Sequence, residues 1–143
     1  MVYLGLDVHS KWFTIAGFDK DTGECFKVPK VMNDPSAITE TFAELPTPRC
    51  GVMESGTNAL PMHRLLKPYF DHLLIVAPNK VWDRRRDAGP KTDSRDAFRL
   101  AEELSFGRLQ PIYLPDDTLR EQRTLVRGRI QTAQAITRQV NHL

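Results

Sequence analysis

The chain opens on an unbroken apolar run, Val2 to Leu6, that ends in an acid at Asp7, and a second run, Cys50 to Met53, ends the same way at Glu54. Short β-prone runs without alternation are the pattern of strands buried on both faces. Lys11 to Phe18 (KWFTIAGF) predicts a second strand after a tight His9-Ser10 connection. The Asp21-Thr22-Gly23 turn leads into a third strand, Glu24 to Val28, so the opening reads as an antiparallel meander. Asp34-Pro35-Ser36 starts a helix with apolar Ala37, Ile38, Phe42 and Leu45, and Pro46 and Pro48 stop it. After Glu54, Ser55-Gly56-Thr57 opens a second helix, with Leu60, His63 and Leu66 on one face, that ends at Pro68. His72 to Ala77 (HLLIVA) is then a fifth strand closed by Pro78. This alternation predicts an α/β fold, a five-stranded mixed sheet flanked by helices.

The remaining pattern is more polar. Asn79 to Pro90 reads as a basic loop, and a helix follows from about Asp93 to Phe106, with Ala97, Leu100, Ala101 and Leu104 on one side and Gly107 at its end. A long C-terminal helix starts at Asp116-Asp117. Its Leu119, Val126, Ala133 and Val140 recur every seven residues with mixed companions, a partial heptad suited to helix pairing. The expected organisation is one domain over residues 1–110 and the start of a helical arm over 111–143. The chain ends at Leu143 in mid-helix without a capping signal, which predicts a fragment of something longer.

Composition narrows the class. With 143 residues, 41% apolar and 27% charged, the chain suits a single globular core. Charge arrives at Asp7, too early for a signal peptide or membrane span, so the expected location is the cytoplasm. Cys25 and Cys50 sit beside apolar residues and read as reduced core thiols, not as a disulfide or zinc site. The net charge of +2 is unevenly spread, for residues 79–143 hold 13 Lys and Arg against 9 Asp and Glu. Such clustering favours a phosphate-backbone partner.

Two acids at strand ends and two more, Asp93 and Asp96, three residues apart in KTDSRDA could converge on one divalent-metal site. Phosphodiester cleavage by two Mg²⁺ (or Mn²⁺) ions needs such a carboxylate set, with substrate phosphate completing the shell. Taken singly, each acid has a structural use. Asp93 would cap a helix, Asp96 would face solvent, Glu54 would cap the following helix, and Asp7 would form a turn. The agreement in position of all four points instead to metal-dependent chemistry. Lys80, Trp82, Arg84, Arg85, Arg86, Lys91 and Arg95 are the candidate nucleic-acid contacts, with Trp82 available to stack on a base. His9 reads as a turn histidine, His63 and His72 as helix-face and strand-edge residues, and Ser55 lacks the elbow and relay of a hydrolase nucleophile.

The stretches GLDVHSK, GVMESGTNALP and VAPNKVWDRRRDAGPKTDSRDAFRLAE resemble the N-terminal domain of the DEDD-type transposases of insertion sequences, relatives of the Piv and MooV site-specific invertases. The resemblance implies a RuvC-like ribonuclease H fold in which Asp7, Glu54, Asp93 and Asp96 bind two divalent ions for DNA strand cleavage and transfer. It also implies a second domain with a serine nucleophile, target choice by a structured guide RNA, and homo-oligomers formed through helical arms. Nothing in this chain corresponds to the second domain, so the fragment alone is expected to be inactive in full recombination. One alternative is a non-catalytic nucleic-acid-binding or oligomerisation module of the same fold. The other, an actin-like phosphotransferase, fits less well because its phosphate-binding turn is glycine-rich and His9-Ser10-Lys11 has no glycine.

Overall fold

The computed structural model describes residues 1–78, 92–114 and 117–140. Lys80, Trp82, Arg84, Arg85, Arg86 and Lys91 lie outside the described residues. The chain divides into two compact units, Met1–Ile112 and Tyr113–Leu143.

The first unit is built on a five-stranded sheet of order β3-β2-β1-β4-β5. The strands are β1 (Val2–Val8), β2 (Trp12–Asp19), β3 (Cys25–Met32), β4 (Arg49–Glu54) and β5 (His72–Val76). The meander pairs β1, β2 and β3 antiparallel, whereas β4 pairs parallel with both β1 and β5. This is the mixed sheet expected of a RuvC-like ribonuclease H fold. Strands β1, β2 and β4 carry its core, with Leu4, Leu6, Phe13, Ile15, Val52 and Met53 all buried.

Helix α1 (Pro35–Glu44) carries the chain from β3 round to β4, and α2 (Ala59–Leu66) with a 3₁₀ turn (Lys67–Tyr69) carries it from β4 to β5. Asp34 caps α1 by accepting from the Ser36 and Ala37 amides. Both connections advance the same way across the sheet, so right-handed crossover sets α1 and α2 on one face. There Phe42 of α1 stacks on Tyr69 and meets Phe70 edge-on, and Gly51 of β4 lies beneath Phe70, which would stand 2.5 Å from an added Cβ. The opposite face is covered by α3 (Asp93–Ser105), which packs across β1, β2 and β4. Beyond α3, Leu109 joins the apolar cluster of Val52, Val76 and Leu100, and the Ile112 amide donates to the Ile75 carbonyl at 2.8 Å. Pro111 and Ile112 thus still pair with β5.

Some local expectations change. Helix α2 begins at Ala59, not at Ser55, because the Ser55 amide donates to the Val76 carbonyl at 2.8 Å and prolongs the β4–β5 ladder. Cys25 is exposed and Cys50 is half-buried, so the core-thiol reading fails for Cys25. Strand β3 is a sheet edge whose residues largely meet solvent, and an apolar neighbour in sequence does not bury a thiol there.

The second unit is described by α4 (Asp117–Val140), 24 residues long. Leu125, Val126, Ile130, Ile136 and Val140 are exposed along it. No helix among the described residues is long and apolar enough to cross a membrane.

Candidate metal centre

The position of each acid follows from a packing contact one step away in its element. Gly5 and Asp7 share a face of β1, and an added Cβ on Gly5 would lie 1.8 Å from the Ala97 carbonyl oxygen, so only glycine admits α3 at this distance. Asp93 is one helical turn before Ala97, which brings it over the end of β1 beside Asp7. In parallel, Val52 of β4 packs with Leu100. Two residues on from Val52 is Glu54, and one turn before Leu100 is Asp96. The β1–β4 register pairs Leu6 with Met53, so Asp7 and Glu54 are the next residues in line and lie on the same face.

All four acids, together with His9, Ser55, Gly56 and Leu100, line one cleft of about 240 Å³. Helix α3 starts at its rim. Thr92 caps the helix by accepting from the Arg95 amide, and Asp93 and Asp96 occupy the first turn, where the helix macrodipole favours negative charge.

The electrostatics are those of crowded carboxylates. The Asp7 carboxyl is pushed above the ordinary range mainly by burial, with further upward pressure from the charges of Asp93 and Asp96; His9 opposes the shift by its charge and hydrogen bond. His9 Nε2 lies 3.2 Å from Asp7 Oδ2 and 3.6 Å from Asp93 Oδ2. Its ring stacks on Trp12, with centroids 3.8 Å apart. Asp7, His9 and Asp93 present ligand atoms all within 4.8 Å of one another.

This donor set fits a divalent cation. Carboxylate oxygens suit Mg²⁺ and Mn²⁺, and a bound cation would offset both the burial that chiefly raises Asp7 and the added repulsion of Asp93 and Asp96. His9 was not foreseen in this role. The available signal was its spacing, since a residue two past Asp7 on a strand and its turn projects to the same side. Arg95 lies elsewhere. It lines a groove of about 340 Å³ with Cys25, Phe26, Lys27, Phe98 and Arg99, and does not line the acid cleft.

Comparison with known proteins gives a consistent result. A family model described as a transposase of the DEDD, IS110 type matches residues 4–143. The transposase for insertion sequence element IS1533 of Leptospira borgpetersenii is 28% identical over 111 residues, covering 76% of this chain and 32% of that protein. The y4qE protein of Sinorhizobium fredii, provisionally named a transposase, is 32% identical over 91 residues, covering 62% of this chain and 23% of its own length. The chain therefore spans about a third or less of the length of the curated relatives it matches.

Proposed function

Because the chain belongs to the DEDD family of insertion-sequence transposases, we propose that its sheet unit is the catalytic domain of a DNA transposase, with Asp7, Glu54, Asp93 and Asp96 as ligands of two divalent ions, Mg²⁺ or Mn²⁺. The observation that carries the reading is the convergence of these four carboxylates, drawn from β1, β4 and α3, on one cleft. Bound cations would supply Lewis-acid activation of the attacking oxygen and stabilisation of the leaving one. The protein's part is to hold the oxygens still. Asp7 and Glu54 hang from neighbouring buried strands, and Asp93 and Asp96 from the capped first turn of a helix pressed onto the same strands. A bound cation would favour the ionised form of Asp7, against the burial that raises its carboxyl.

The proposed substrate is DNA. Target choice through a structured RNA, and completion of the reaction by a second domain, belong to the same reading. Residues 1–110 would form the metal-binding domain and residues 111–143 an arm. The exposed apolar residues of α4, with five arginines against Glu121 from Thr118 onward, suit pairing between copies or contact with nucleic acid. Lys80, Trp82, Arg84, Arg85, Arg86, Lys91 and Arg95 are proposed as nucleic-acid contacts, and the cytoplasm as the location.

The test is a melting curve with millimolar Mn²⁺, paired with DNA binding. Wild-type protein is expected to melt at higher temperature with Mn²⁺, and Asp96→Asn to lose that response, because an ion that binds only the folded state stabilises it. If neither protein responds and DNA binding is insensitive to both Mn²⁺ and Asp96→Asn, the fold serves as a non-catalytic binding module.

A further inference from the structure

The tetrad leaves out one donor that the fold aims into the same cleft. His9 sits in the β1–β2 turn, and its backbone is fixed from two directions. Its amide donates to the Trp12 carbonyl at 2.9 Å, and Asn33 Nδ2 donates to the His9 and Ser10 carbonyls at 3.2 Å each. The ring is held in turn by its stack on Trp12, with an interplanar angle of 28°. These restraints set Nε2 between two carboxylates, 3.2 Å from Asp7 and 3.6 Å from Asp93. Adjoining ligands on one cation require such spacing, since bonds of about 2.1 Å separate neighbouring donors by roughly 3 Å. A histidine serving only to form the turn would need neither the stacked ring nor the convergence on two acids from different elements.

We propose that His9 is a direct metal ligand, making the centre a mixed imidazole–carboxylate site that takes a first-row transition ion such as Mn²⁺ in preference to Mg²⁺. The inference rests on the metal reading above. Its chemical basis is the difference between donors. Magnesium demands oxygen ligands and gives up water reluctantly, whereas an imidazole nitrogen adds affinity for transition ions. Ligation through Nε2 uses the tautomer whose proton is on Nδ1.

The experiment is pulsed electron paramagnetic resonance of the Mn²⁺-loaded chain, joined to competitive Mn²⁺ and Mg²⁺ binding by wild type, His9→Ala and His9→Gln. The expected result is nitrogen modulation of the Mn²⁺ signal in wild type and its loss in both variants. The preference for Mn²⁺ over Mg²⁺ should fall by about tenfold or more, comparable with the effect of removing even an outer partner of a metal ligand. Bound Mn²⁺ without nitrogen modulation would overturn the proposal and leave the carboxylate site standing, as would an unchanged ion preference in a folded variant. No Mn²⁺ binding by wild type would sink both. The wild-type spectrum decides the question even if a variant fails to fold.

Discussion

The two faces of the sheet bury polar groups in opposite ways. On the face of α1 and α2, buried side chains reach backbone carbonyls. The Arg49 guanidinium donates to the carbonyls of Phe42 and Leu45 at 3.0 and 2.9 Å, and His63 Nε2 lies 2.9 Å from the Leu73 carbonyl. On the face of α3, Asp7 is set among other acids and its carboxyl is raised by burial and their charge. The first arrangement offsets part of the cost of burying polar atoms, whereas the second adds acid–acid repulsion to the cost of burial, which a cation would relieve. The carboxylates gathered on the α3 side are the feature that the proposed metal site would use.

The largest expected effect comes from closing the gap under α3. Gly5→Ala should lose more than about 3 kcal/mol of unfolding free energy, because the new methyl meets the Ala97 backbone oxygen, which cannot swing aside. On the other face Gly51→Ala meets the Phe70 ring, a side chain able to shift, and should cost about 1–3 kcal/mol. Denaturant midpoints for the pair measure the contrast directly, and equal losses would mean the two faces are equally tolerant.

Removing a partnered group should cost nearly as much. Arg49→Met is expected to lose about 2–3 kcal/mol, since it strands the buried carbonyls of Phe42 and Leu45, and the same denaturant series would record it. By contrast, Glu54→Gln and Asp93→Asn should change stability by less than about 1 kcal/mol while abolishing the response of melting temperature to Mn²⁺. A stability loss in these two as large as that of Arg49→Met would assign the acids a structural role.

The smallest effect depends on pH. Because the folded Asp7 carboxyl is raised, the folded state holds its proton more tightly than the unfolded chain does. Stability contributed by this group is complete below the unfolded value and falls as pH rises through the folded one. In metal-free buffer, Asp7→Asn should therefore melt at higher temperature than wild type at neutral pH, with the advantage vanishing well below the normal aspartate range. An advantage that grew on acidification would reverse the sign and show that burial does not raise the Asp7 carboxyl.

Much of this was legible in the sequence because strands buried on both faces leave continuous apolar runs, and Asp7 and Glu54 punctuate two of them. The KTDSRDA helix start was equally visible, although its cap is Thr92 and not Asp93. What stayed hidden depends on partners far along the chain. Gly5 looked like an ordinary residue in an apolar run until α3 lay against it, and His9 looked like a turn residue until Trp12 and α3 gave its ring a direction. The start of α2 was misplaced for a similar reason, since the bond from Ser55 to Val76 crosses between strands and no local helix signal reports it.

The paired glycines have a dynamic consequence. Gly5 and Gly51 sit on adjoining strands, in neighbouring registers, and each lets a covering layer come down onto bare backbone. The middle of the first unit is therefore thinnest where its strands are best enclosed, and local opening there must lift both layers together. Amide hydrogens of Leu6 and Met53 should exchange with solvent only on global unfolding. The carboxylates of Asp7 and Glu54, one residue further along, hang from a platform whose lifetime equals that of the whole fold.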